Sequence, residues 1–211
     1  MRRIILTAFF LSLLNAFSYG QQTEELTKGG LQKTAIGFLT WYKERKNHLM
    51  TSPLVVGFNQ DSIKKDSIVR IDMPAIEEYL SNLKSSNYVS DVFIDNLKRT
   101  YISVSDTLIK YPLVDYFGPI PGLESDLIFG FEPEAILDHI KAGRFTKIYT
   151  IYNKALVKFD ISELNQYIFI MTKVNNKWLI DYFGVDLTNL EVMSHNDGMQ
   201  KPRIHRHKES Y

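Results

Sequence analysis

Apolar positions recur at helical spacing in the first half of the chain and alternate at strand spacing through its last third. Over 31–47, Leu31, Ala35, Phe38 and Tyr42 follow steps of four, three and four, and Leu39 and Trp41 widen the stripe, which predicts an amphipathic helix. Gly29-Gly30 predicts a break before it, and the charged run Lys43 to Lys46 turns its end toward solvent. Two short strand-like runs, Leu54-Val55-Val56 and Ile68-Val69-Arg70-Ile71, flank a polar tip and predict a hairpin over 53–72. Asp72-Met73-Pro74 opens a second helix, because proline suits a first helical turn, and Ile76, Leu80 and Leu83 form its apolar face. Ser90 and Asp91 cap a third, with Phe93, Leu97, Tyr101, Val104 and Leu108 on one side.

Between 111 and 131 the periodicity lapses into a Pro-, Gly- and aromatic-rich segment. Loops of that length inside a domain often carry function. Pro133 then starts a short helix with Ile136, Leu137 and Ile140 inward, closed by Gly143. Four alternating runs, 147–152, 155–161, 167–174 and 177–185, predict an antiparallel meander, with Asn175-Asn176 as its tightest turn. Helices first and an antiparallel sheet last predict an α+β class, the N-terminal helices covering one face of the C-terminal sheet. The pattern fades from 186 onward, which reads as a tail over 186–211.

The first twenty residues have a different pattern. Met1-Arg2-Arg3 is basic, 4–17 is mostly apolar, and Ser18-Tyr19-Gly20 puts small residues three and one positions before Gln21. That is the layout of a secretory signal peptide over 1–20, followed by a flexible leader over 21–30. The expected product is exported to a bacterial periplasm or beyond, with no stable membrane anchor.

Composition narrows the chemistry. Cleavage after Gly20 would take the 211 residues to 191, enough for one domain with a full core. It would also take Lys+Arg from 25 to 23 against 24 acidic residues, a balance that gives nucleic acid no general attraction. The chain has no cysteine, which excludes disulfides, zinc thiolates, cysteine nucleophiles and lipidation at a cysteine. Gly-rich phosphate loops, Gly-x-Ser-x-Gly elbows and His-Glu-x-x-His helices are absent from the sequence. No cofactor is expected.

The apolar leader, the first helix carrying Phe38-Leu39-Thr40-Trp41-Tyr42, the helical middle and the closing hairpin with Trp178-Leu179-Ile180-Asp181 resemble a group of secreted bacterial domains of unknown function. These are similar in outline to the nuclear transport factor two-like fold, a cystatin-like cone in which a curved sheet wraps around helices. The resemblance spans 31–185, with the 53–72 hairpin as an insertion. It implies a single cone-shaped domain whose interior holds a ligand, serves an enzyme or is filled by side chains.

The candidate ligand site is an aromatic concavity with walls from Trp41, Tyr42, Tyr152 and Trp178 and a polar anchor at Asp126. Phe159, Phe169 and Tyr182 offer further aromatic surface on the strands. Asp115, Glu124, Asp126 and Asp181 are the only realistic catalytic material, each readable equally as a solvated turn or strand residue, and no catalytic residue is assigned. Glu134 and Asp138 lie one turn apart, close enough to share a cation, although acidic residues early in a helix also complement its dipole. His48 and His139 sit near helix ends. His195, His205 and His207 fall in the basic tail, where a second shell for a metal is lacking, so no metal site is assigned. The expected function is a binding or interaction domain for a small molecule or a protein partner. The alternatives are a cofactor-independent lyase, isomerase or hydrolase using one pocket carboxylate, and an inhibitor- or immunity-type protein–protein module. A homodimer through the outer sheet face is a further expectation.

Overall fold

The computed structural model describes residues 27–58, 67–130, 133–162 and 165–186. The expected signal peptide over 1–20, the tip of the expected hairpin and the tail from 187 lie outside the described residues. In chain order the elements are α1 (27–45), a 3-10 turn (Lys46–His48), β1 (Val55–Val56), β2 (Arg70–Ile71), α2 (Met73–Lys84) and α3 (Asp91–Lys110), followed by α4 (Glu134–Leu137), a second 3-10 turn (Ile140–Ala142), β3 (Arg144–Ile151), β4 (Lys154–Asp160), β5 (Gln166–Val174) and β6 (Lys177–Val185). This is an α+β fold with its helices before an antiparallel sheet of order β3-β4-β5-β6.

The local signals are physical ones. Asp72 caps α2 by accepting from the Ala75 N–H at 3.2 Å, with proline in the first turn. Ser90 caps α3 through the Phe93 N–H at 3.3 Å, and the buried stripe of α3 is Phe93, Leu97, Tyr101, Val104 and Leu108. Asn175 and Asn176 both take positive φ, 49° and 61°, as a two-residue hairpin turn requires. α1 begins by residue 27, so Gly29 and Gly30 lie within the helix rather than breaking the chain before it. Trp178 explains the second glycine, since a Cβ at Gly30 would sit 3.3 Å from the indole Cδ1.

The sheet has two unlike faces. Ile148, Val157, Phe169 and Phe183 pair in one row across all four strands and face the helices. Phe38 of α1 joins this layer to α3, its ring centroid 6.1 Å from Phe93 and 6.3 Å from Phe183. The free edge of β6 is covered where the Ile180 N–H donates to the Tyr88 carbonyl at 2.8 Å and the Ile180 carbonyl accepts from the Ser90 N–H at 2.9 Å. Gly143 meets the same core, since a Cβ there would fall 1.9 Å from Phe159 Cζ. Asp186, read as the start of the tail, belongs to the fold: its N–H donates to the Gln166 carbonyl at 2.8 Å, and its carboxylate meets Lys158 at 2.9 Å.

The loop between α3 and α4 is pinned rather than loose. Val69 donates to the Leu113 carbonyl at 3.0 Å and Asp115 to that of Ser67 at 2.8 Å, which adds a strand-like third segment to the β1–β2 hairpin. Ile120, Ile128 and Phe129 anchor its far end in the core.

Candidate functional site

Four elements bring one polar cluster into the aromatic core: α1 with Tyr42, α2 with Tyr79, α3 with Tyr101, and the long loop with Asp126. Each tyrosine lies on the apolar stripe of its helix and is buried. Such a residue fills core volume with its ring and brings a hydroxyl that needs a partner.

The local sequence fixes Asp126. Its Oδ1 accepts from the Ile128 and Phe129 N–H groups, both at 2.8 Å, and its carbonyl accepts from Gly130 at 2.8 Å. Aspartate favours such a turn because its short side chain reaches the amides that follow it. The turn also holds the Phe129 ring 4.9 Å from that of Tyr42, so one feature places both a carboxylate and an apolar wall.

The electrostatics oppose ionisation. Burial pushes the Asp126 carboxyl above its ordinary range, outweighing the two N–H bonds that pull it down, and the Glu134 charge adds to the rise. Burial raises Tyr42 well above a free phenol, and the Asp126 charge raises it further. Tyr79 is raised by burial and then by Tyr42, with which it shares a hydrogen bond as donor. Tyr101 is pushed up to about 12 by burial and by Asp126. All three phenols stay protonated at neutral pH and feel the charge of Asp126, whose own bonds come from the Ile128 and Phe129 N–H groups. Leu127, next to Asp126, lines a recess of about 170 Å³ between α3 and β6 with Phe93, Leu97, Asp181 and Phe183, whereas Asp126 and the three tyrosines do not line it.

Of the five residues predicted for the site, the structure brings Tyr42 and Asp126 together. Trp41 is half-buried against the core. Trp178 is sealed beneath the start of α1, with its carbonyl accepting from the Thr34 hydroxyl at 3.3 Å. Tyr152 stands on the β3–β4 turn, 97% exposed, far from being a wall. The four aromatics therefore do not close around one cavity. Sequence reasoning missed Tyr79, whose signal was a phenol between Ile76 and Leu83 on an otherwise aliphatic stripe. Tyr101 was read only as core.

The other carboxylates have structural partners. Asp115 accepts from the Ser67 N–H at 3.1 Å and Glu124 from Gly122 at 2.9 Å. Glu134 pairs with Lys46, and Asp138 with Lys43 at 2.8 Å, so these two acids tie α4 and its C-cap to the end of α1 and the 3-10 turn after it. Asp181 meets the Lys154 ammonium at 2.9 Å and the Thr172 hydroxyl. Burial alone would raise it, but bonds from Thr172, Ser90 and Lys154 outweigh that and hold it below the usual range. His48 and His139 are exposed, while His195, His205 and His207 lie outside the described residues. Among the described residues, no three His, Asp or Glu side chains stand together as a metal site. No described helix is long and apolar enough to cross a membrane. Comparison with protein-family models, curated proteins and solved structures finds no match to this chain.

Proposed function

We propose that the protein is an exported binding domain of the nuclear transport factor two-like kind, whose ligand site is the cluster of Asp126 with Tyr42, Tyr79 and Tyr101. The observation that carries this reading is the cost built into Asp126, a carboxylate kept where burial disfavours its charge. Groups held against local stability concentrate at functional sites. The donor set fits a small molecule that brings a hydroxyl or ammonium to the carboxylate and accepts from the phenols, with Phe129 as an apolar wall.

Thermal shift and calorimetric titration against a panel of saccharides, polyols and small amines test it. A ligand whose binding is lost in Asp126→Ala and Tyr42→Phe supports the proposal, and Asp126→Asn then separates the two donor classes. Asparagine still accepts from a hydroxyl but no longer pairs with an ammonium. A ligand that binds all three variants as it binds the wild type would place the site elsewhere. The raised carboxyl also favours a second reading, a cofactor-independent enzyme with Asp126 as general base and a neighbouring phenol as acid. That reading requires turnover of a bound ligand, with a rate that follows Asp126 ionisation.

A further inference from the structure

The outer face of the sheet carries an apolar row that no described residue covers. Tyr149, Leu156, Ile170 and Tyr182 pair directly across β3, β4, β5 and β6, and all four are exposed, from 38% for Leu156 and Ile170 to 58% for Tyr149. Ile151 extends the row along β3 at 69% exposed. A solvent-facing sheet would carry polar residues at these alternating positions. At the end of β3, Tyr152 takes φ 54°, a left-handed conformation that a bulky side chain adopts rarely and that glycine adopts freely. Its ring makes almost no contact within the chain. The turn therefore keeps a tyrosine against its backbone preference, with a ring that the described residues leave unused.

The charges on this face indicate the partner. Lys154 is neutralised by Asp181 and Lys158 by Asp186, both pairs at 2.9 Å. An acidic protein or an anionic membrane surface would meet two lysines already paired, with Lys147 exposed beside the row on β3. A face that is apolar along its middle, with Lys154 and Lys158 paired inside the chain and Lys147 at its β3 edge, matches a copy of itself, since a two-fold axis sets the apolar row against itself. Tyrosine presents about 200 Å² when fully exposed, so Tyr152 with the five residues of the row approaches the roughly 800 Å² per partner of a standard interface. Two antiparallel faces of this kind stack at about 10 Å with interleaved side chains. We infer that the outer face of the β3–β6 sheet, with the Tyr152 turn, is the interface of a two-fold homodimer.

Sedimentation equilibrium of the purified protein from 1 to about 100 μM tests this, read beside circular dichroism. The wild type is expected to be dimeric. Ile170→Lys is expected to raise the dimer dissociation constant at least tenfold with an unchanged spectrum. Tyr152→Gly, which relieves the positive φ, is expected to weaken the dimer while raising the melting temperature of the monomer, so it decides the matter even if the lysine variant does not fold. Ile109→Lys, at a more exposed position on α3, is expected to leave the dimer intact. A wild type that stays monomeric throughout, or a dimer that survives either Tyr152→Gly or a folded Ile170→Lys, overturns the inference.

Discussion

Asp126 offers the sharpest test, because two substitutions there are expected to act in opposite directions. Asp126→Ala removes the acceptor of two 2.8 Å bonds from Ile128 and Phe129 and leaves both amides in a half-buried turn. Bonds of that kind to a charged acceptor contribute about 1.5–3 kcal/mol each. Relief of the buried charge offsets part of the loss, so the net cost is about 2 kcal/mol, or roughly 4–8 °C in melting temperature for a domain of this size. Asp126→Asn keeps an oxygen in the same place and removes only the charge. The carboxyl lies above its ordinary range, so burial outweighs the preference of the two amides for the ionised form. Asparagine is therefore expected to melt at or above the wild type near pH 7.5. The sign follows from linkage: a carboxyl raised on folding adds stability below its unfolded pKa, and that stability is lost as pH rises through the folded value. The advantage of asparagine is thus expected to appear as pH climbs past the ordinary aspartate range and to vanish below it. Thermal unfolding of the three proteins between pH 3.5 and 8 measures this directly. An asparagine variant that falls as far as the alanine one at pH 7.5 would refute the reasoning, because it would mean that the charge itself holds the turn.

Asp181 has the opposite sign: its lowered carboxyl contributes stability above the unfolded pKa that is lost as pH falls through the folded one, so Asp181→Asn should flatten the acid limb of a stability–pH profile. An unchanged acid limb would contradict this. Gly143→Ala drives a methyl into the Phe159 ring and should cost about 1–3 kcal/mol by denaturant titration, whereas a neutral result would show that the ring yields freely. Ser90→Ala removes the α3 cap and a partner of Asp181, with an expected loss of about 1 kcal/mol in the same assay. Phe183→Ala opens a void where the Phe38, Phe129, Tyr167 and Phe169 rings meet and should cost about 3–5 kcal/mol, the largest loss of the set.

Local rules carried the elements further than the site. The five-residue stripe of α3, the Asp72 and Ser90 caps and the Asn175-Asn176 turn each depend on neighbours within about one helical turn, so sequence spacing suffices to read them. Gly29-Gly30 was misread because helix propensity at those positions yields to tertiary packing, with Trp178 lying against Gly30. The bulge between Ile170 and Met171, which leaves Asp181 without a register partner, was equally invisible. For the site, Tyr42 and Asp126 were legible as an aromatic on a helix and an acid in a long loop. Their meeting with Tyr79 and Tyr101 depends on how α2 and α3 dock, which no spacing encodes. By spacing alone Tyr152 reads as an aromatic on a strand. Its role changes because a two-residue turn lifts it off the sheet at positive φ.

The central claim, that Asp126 and the three tyrosines form one ligand-binding unit, is tested most directly by NMR. Carboxyl-labelled aspartate and ring-labelled tyrosine would be followed through a pH titration, with and without a small molecule found by thermal shift. The account predicts an Asp126 carboxyl titrating above about 3.9 in the free protein. It also predicts that ligand addition shifts this midpoint and perturbs the Tyr42, Tyr79 and Tyr101 rings together. An Asp126 that titrates at or below that value, with ligand shifts that leave the three tyrosines untouched, would contradict it.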